Sequence, residues 1–199
     1  MVVVFRKDKW FKLGWAYFVV MFILEIILPA WTGEENGVIE NLQMLWLFAG
    51  LWYSWKMIRT KQRFLEQAKY LWTAGCVYFF LLIMREISWG RVFFVDEKGH
   101  MAQYSDLGLY GKLVHPTVAV LIVVALYCLY KAKIWRTVLA VKLPIKSFVL
   151  LLLFIFMSWV GEKSNFTGFH GEVAEELAEF GAYMMMYVVT KDMGKRLEE

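Results

Sequence analysis

Proline, cysteine and histidine are scarce in this chain: 199 residues hold three, two and three of them. With so few prolines and 14 glycines in no Gly-X-Y period, collagen-like and polyproline structure is excluded. Two cysteines rule out a small secreted domain stapled by disulfides. Cys76 and Cys128 form no CxxC pair, and no HExxH or paired-histidine spacing offers a zinc site. Long polar tracts are absent too, which excludes disorder. What remains is 60% apolar residues, 18% aromatic and only 20% charged, a composition that calls for a bilayer as part of the solvent.

Six apolar stretches approach the length of about 20 residues that a membrane helix needs. They cover roughly 10–31, 38–56, 68–89, 113–130, 146–160 and 173–190. The predicted fold class is therefore all-α: a polytopic membrane protein, one domain over 1–199, with six transmembrane helices. The first stretch reads as a retained helix, since it contains Glu25 and ends in Leu28-Pro29-Ala30-Trp31 without a small-x-small cleavage site. Most of the 22 basic residues fall before the first stretch, after the second (Lys56, Arg59, Lys61), after the fourth (Lys131, Lys133, Arg136) and at the tail. The positive-inside rule then places both termini in the cytoplasm, at a plasma membrane or bacterial inner membrane. Most of the 18 acids and all three histidines fall at the opposite, outer ends. The net charge of +4 thus reports topology, and no nucleic-acid partner is expected. Asn165-Phe166-Thr167 matches a glycosylation acceptor on the outer side, a short motif with little weight.

The outer ends of the stretches repeat a signal. Odd stretches finish with Trp31-Thr32-Gly33-Glu34, Ser88-Trp89-Gly90-Arg91 and Ser158-Trp159-Val160-Gly161-Glu162. Even stretches open with an apolar pair and a titratable residue: Val38-Ile39-Glu40, Leu113-Val114-His115 and Val173-Ala174-Glu175. Sixteen residues beyond these titratable residues stand Lys56, Lys131 and Lys191, about 24 Å along a helix. Interfacial anchoring in unrelated helices explains part of this recurrence. A pseudo-threefold repeat explains more of it, with three hairpins over about 10–56, 68–130 and 146–190 around a shared axis. Glu40, His115 and Glu175 then lie at one depth.

Intramembrane charge is costly and is generally kept facing a bundle interior with partners. Glu40, Asn41 and Gln43 open the second stretch, Arg85 and Glu86 close the third, His115 with Pro116 opens the fourth, and Glu162 closes the fifth. In the sixth, Glu172, Glu175, Glu176 and Glu179 follow the i, i+3, i+4, i+7 pattern and share one helix face. Four such carboxylates repel one another in a low dielectric, so a cation must offset them: Arg85, whose guanidinium keeps its charge, bound protons, or a metal ion. The candidate substrate- or ion-binding set is Glu40, Arg85, Glu86, His115, Glu162, Glu175, Glu176 and Glu179. His170 and Glu172 form a weaker candidate for a metal cation, although an ion-paired rim accounts for Glu172 better. The outer connection 91–112, with its Val92-Phe93-Phe94-Val95 run, is a candidate lid, interfacial packing being the plainer account.

Three functions compete. Charged groups on every stretch and the absence of a nucleophile motif favour transport of a small ion or solute, coupled to protons or another cation. A metal-assisted hydrolase acting on a lipid or lipid-linked substrate is the enzymatic alternative. The membrane hydrolase superfamily that includes alkaline ceramidases also gathers acids and histidines in a helical bundle. Its closely spaced histidine pair on a late helix has no counterpart among His100, His115 and His170, so membership is not indicated. A non-catalytic membrane partner or sensor subunit, or a homo-oligomer, is the third, since Ala178, Gly181 and Ala182 permit close helix contact. No haem is expected, because acids surround both His115 and His170.

Overall fold

The structure, a computed structural model, describes residues 9–33, 37–60, 65–95, 101–135, 137, 144–163 and 171–198. Six long helices organise them: α1 (Lys9–Ile27), α2 (Val38–Arg59), α3 (Leu65–Glu86), α4 (Gly108–Lys131), α5 (Ile145–Lys163) and α6 (Gly171–Glu198). No β-strand occurs among the described residues, only an isolated bridge between Val95 and Met101. Four of the helices are long and apolar enough to cross a membrane, over Trp10–Ile27, Glu66–Glu86, Gly108–Lys131 and Ile145–Lys163. The other two, α2 and α6, carry more polar residues, and they lie at the centre of the packing.

α6 packs against α1, α2 and α5, while α2 also packs against α3. A helix surrounded by helices meets little lipid, so it tolerates charge that a peripheral helix does not. In lipid the helices gain little from hydrophobic burial against one another, and close packing must hold them together. α6 supplies the small residues for it: Ala178, Gly181 and Ala182 are buried, and the Phe154 ring of α5 lies flush on Gly181. Met21, Phe154, Leu177 and Met185 are among the buried side chains of this α1, α5 and α6 core. A second cluster joins Leu47 of α2, Phe79 and Ile83 of α3 and Tyr183 of α6.

Of the three expected hairpins, α3–α4 and α5–α6 pack as pairs, whereas α1 lies against α6 and α5, and α2 against α3 and α6. The three pairs therefore do not have equivalent surroundings. Shape explains the asymmetry. α4 is apolar on all sides, with only Gly111, Val114 and Cys128 buried, and offers no distinct face for a second partner. α4 also begins earlier than expected, at Gly108, so Pro116 is internal and the Lys112 carbonyl loses its usual i+4 donor. Cys76 is half-buried and Cys128 buried, both as free thiols.

The recurrent Trp-Gly signals fall differently on the odd helices, after α1 and α3 but within the last turns of α5. Gly33 and Gly161 let the chain press against the first turns of α6: a Cβ at Gly33 would stand 2.7 Å from the Val173 amide nitrogen, and one at Gly161 2.8 Å from that of Glu175. After α3, the consecutive Ser88, Trp89 and Gly90 all take positive φ, at 45°, 52° and 79°. Only the glycine adopts this conformation without strain. Tyr104 donates to the Ser88 carbonyl at 3.5 Å and Tyr110 to the Trp89 carbonyl, which holds the turn in place.

Candidate functional site

α2 and α6 begin, and α3 ends, at the same end of the bundle. Their terminal turns enclose a cavity of about 140 Å³. Glu40 of α2, Arg85 and Glu86 of α3, and Glu175, Glu176 and Glu179 of α6 line it. Three of the α6 acids reach one space because they share a helix face, and α3 arrives antiparallel with its last turn opposite them.

Arg85 is the cation of this lining. Its Nη2 lies 3.1 Å from Glu179 Oε1, and its Nε lies 3.9 Å from Glu86 Oε1. The side chain is 61% exposed, whereas Glu86 and Glu179 are 7% and 14% exposed, so the guanidinium reaches inward from the rim toward two largely buried carboxylates. Neutral donors complete the arrangement. The Tyr183 hydroxyl donates to Glu86 Oε1 at 2.6 Å, and the Ser158 hydroxyl to Glu179 Oε1 at 3.4 Å. Gln43, fully buried, donates through Nε2 to Glu176 Oε2 at 2.7 Å and to the Glu176 carbonyl at 2.9 Å. Its Oε1 is buried and accepts no hydrogen bond. Five carboxyl groups thus share a cavity with one guanidinium. Full ionisation would leave four of the five carboxylates without a matching cation in the lining of a half-enclosed space.

Six of the eight expected ion-binding residues meet here. The other two do not. His115 is exposed on α4, edge-on to the Tyr104 ring with centroids 5.4 Å apart, and it does not line the cavity. Among the described residues α4 packs chiefly against α3, which holds His115 away from the α2–α6 seam. Glu162, near the end of α5, is exposed and outside the lining. Of the weaker metal pair, Glu172 is exposed on α6, and His170 lies outside the described residues. Among the described residues no three His, Cys, Asp or Glu side chains are grouped tightly enough to hold a metal ion.

The connection between α3 and α4 contributes Val92 and Met101 to the cavity wall. Arg91 ties its two flanks together: Nε donates to the Ala102 carbonyl at 2.7 Å, and the guanidinium lies 4.9 Å from the centre of the Tyr104 ring. Its residues 96–100 are outside the described set.

Gln43, Tyr183, Ser88 and Ser158 escaped selection from the sequence. Tyr183 lies one turn beyond Glu179 on the same face, and Gln43 one turn beyond Glu40, so helical periodicity could have found both. Ser88, which lines the cavity, and Ser158 hold equivalent places before the tryptophan of the recurrent signal.

No protein-family model matches the chain, and no curated protein or solved structure matches it either.

Proposed function

We propose that the chain is an integral membrane transport protein that moves a small ion or solute, coupled to protons, through the cavity between α2, α3 and α6. Its six long helices would all span the plasma membrane, with both termini cytoplasmic and the cavity at the outer face. The observation that carries this reading is the gathering of Glu40, Glu86, Glu175, Glu176 and Glu179 around one cavity whose lining holds a single guanidinium, from helices distant in sequence. Orientation and solubility need no such density of acid, and a cost of a few kcal/mol per intramembrane charge argues for a use.

The geometry suggests how coupling would operate. Arg85 is shared between Glu86 and Glu179, and an arriving proton or cation competes with it for Glu179. Gln43 and Tyr183 hold Glu176 and Glu86 in place, which keeps the carboxylates from collapsing onto the arginine together. One to two helical turns further in, Leu47, Phe79 and Ile83 are buried against Tyr183 and close the bundle. Passage past this apolar floor needs a rearrangement, which favours a carrier over an open pore.

In proteoliposomes with an entrapped pH dye, bathed in media that supply Na+, K+ and Cl− as candidate coupled ions, the wild-type chain should dissipate an imposed proton gradient. Glu176→Gln and Arg85→Ala should each slow it at least tenfold, about 1.4 kcal/mol in the rate-limiting barrier. Arg85→Lys should recover only part of the loss, because an ammonium cannot fork toward two carboxylates. Wild-type vesicles no leakier than empty ones, or variants indistinguishable from wild type, would reject the proposal.

A further inference from the structure

We infer that the opposite end of α2 binds the phosphodiester headgroup of an anionic phospholipid. A groove of about 280 Å³ lies there, lined by Trp52, Trp55, Lys56, Arg59 and Thr60. The four long side chains follow the i, i+3, i+4, i+7 pattern and stand on one face of the last two turns. Trp52 is 71% and Trp55 49% exposed, so both indoles project from the bundle instead of filling it. The Arg59 guanidinium lies 5.0 Å from the centre of the Trp55 ring, where the cation–π contact orients it over the groove. The Thr60 hydroxyl donates to the Lys56 carbonyl at 3.1 Å and fastens the helix end under the two cations.

Charge complementarity identifies the occupant. Lys56 and Arg59 line the groove, and among the described residues no acid does. The groove also lies where the apolar run Leu42–Trp55 gives way to Lys56 and Arg59, the level of a membrane–water interface. There a phosphate oxygen pair can meet the planar guanidinium while glycerol and the first acyl carbons rest on the indoles. A zwitterionic headgroup brings its own cation beside the same phosphate and loses much of the attraction. This inference requires membrane embedding and is independent of what the outer cavity carries.

The test uses the full-length protein in detergent, titrated with phosphatidylglycerol or phosphatidylcholine and read by native mass spectrometry. Wild type should retain phosphatidylglycerol in preference to phosphatidylcholine. Each basic residue near a headgroup contributes about a fivefold preference, so Lys56→Gln/Arg59→Gln should weaken phosphatidylglycerol binding by about 25-fold. Lys131→Gln/Lys133→Gln, a charge-matched control on the same proposed side, should leave it unchanged. Equal retention of the two lipids by wild type overturns the inference without reference to any variant, and so does equal loss in the control pair. Displacement of the lipid by millimolar inorganic phosphate would make the groove a free-anion site and overturn it as well.

Discussion

Glu176 illustrates how a buried carboxyl depends on one neighbour. Its Oε2 receives the Gln43 amide at 2.7 Å, in a place where Gln43 itself has no exposure. Removing the donor leaves a partly buried carboxyl oxygen without its amide partner, so Gln43→Leu should cost about 1–3 kcal/mol, read as a lower unfolding temperature in detergent. In Gln43→Leu/Glu176→Leu the orphaned acceptor is gone as well, and the loss should be smaller than the sum of the two single substitutions. Strict additivity would mean that the contact has no energetic weight. The spacing of Glu175, Glu176 and Glu179 showed from the sequence that they share a face. Which of them meets Gln43, Arg85 or Ser158 did not follow from spacing, because each partner comes from another helix.

At the level of the elements, the first turns of α6 are where the site is assembled, and glycine permits it. Gly161 brings the end of α5 onto the Glu175 backbone, so any side chain there must push the helices apart. Gly161→Val should destabilise by about 1–3 kcal/mol through overpacking and also slow flux, because Glu175 and Glu179 move with the turn. Phe156→Leu, on the exposed side of α5, should do neither; thermal unfolding and flux measured on the same preparations distinguish the two. The helices themselves were legible as apolar runs broken by charged connections, and their bounds agree with the described helices to within a few residues at most ends. The far end of α6, expected near residue 190 and found at Glu198, and the start of α4 are the exceptions. The expected opening of α4 at Leu113 puts His115-Pro116 in the first turn, which suits proline, yet the helix begins at Gly108 and carries Pro116 internally. The apolar residues Leu109 and Leu113 and the packing of Gly111 beside Tyr104 extend it past the local signal.

For the molecule as a whole, the acid-lined cavity and the basic ends of the helices lie at opposite ends of the bundle, and this polarity can be checked directly. Under the proposed topology, Lys112→Cys should react with a membrane-impermeant maleimide added outside intact cells, and Lys131→Cys only after permeabilisation. The reverse pattern would invert the orientation and put the carboxylate cavity on the cytoplasmic side. The pattern of charge and apolar runs was enough to indicate an all-helical fold over the described residues, with helices long and apolar enough to cross a membrane, and to collect most of the acids at one end. Helix formation and insertion depend on neighbouring residues and on the lipid, both of which a linear sequence records. The central place of α6, the separation of His115 from the carboxylates and the pairing of Gln43 with Glu176 were decided only by tertiary packing. They depend on which surfaces fit together, and contacts such as Arg85 with Glu179 or Glu86 with Tyr183 join residues nearly a hundred positions apart. Local periodicity holds no information about such partners, because in lipid the choice among apolar faces is made by shape and by the few polar groups that must find one another.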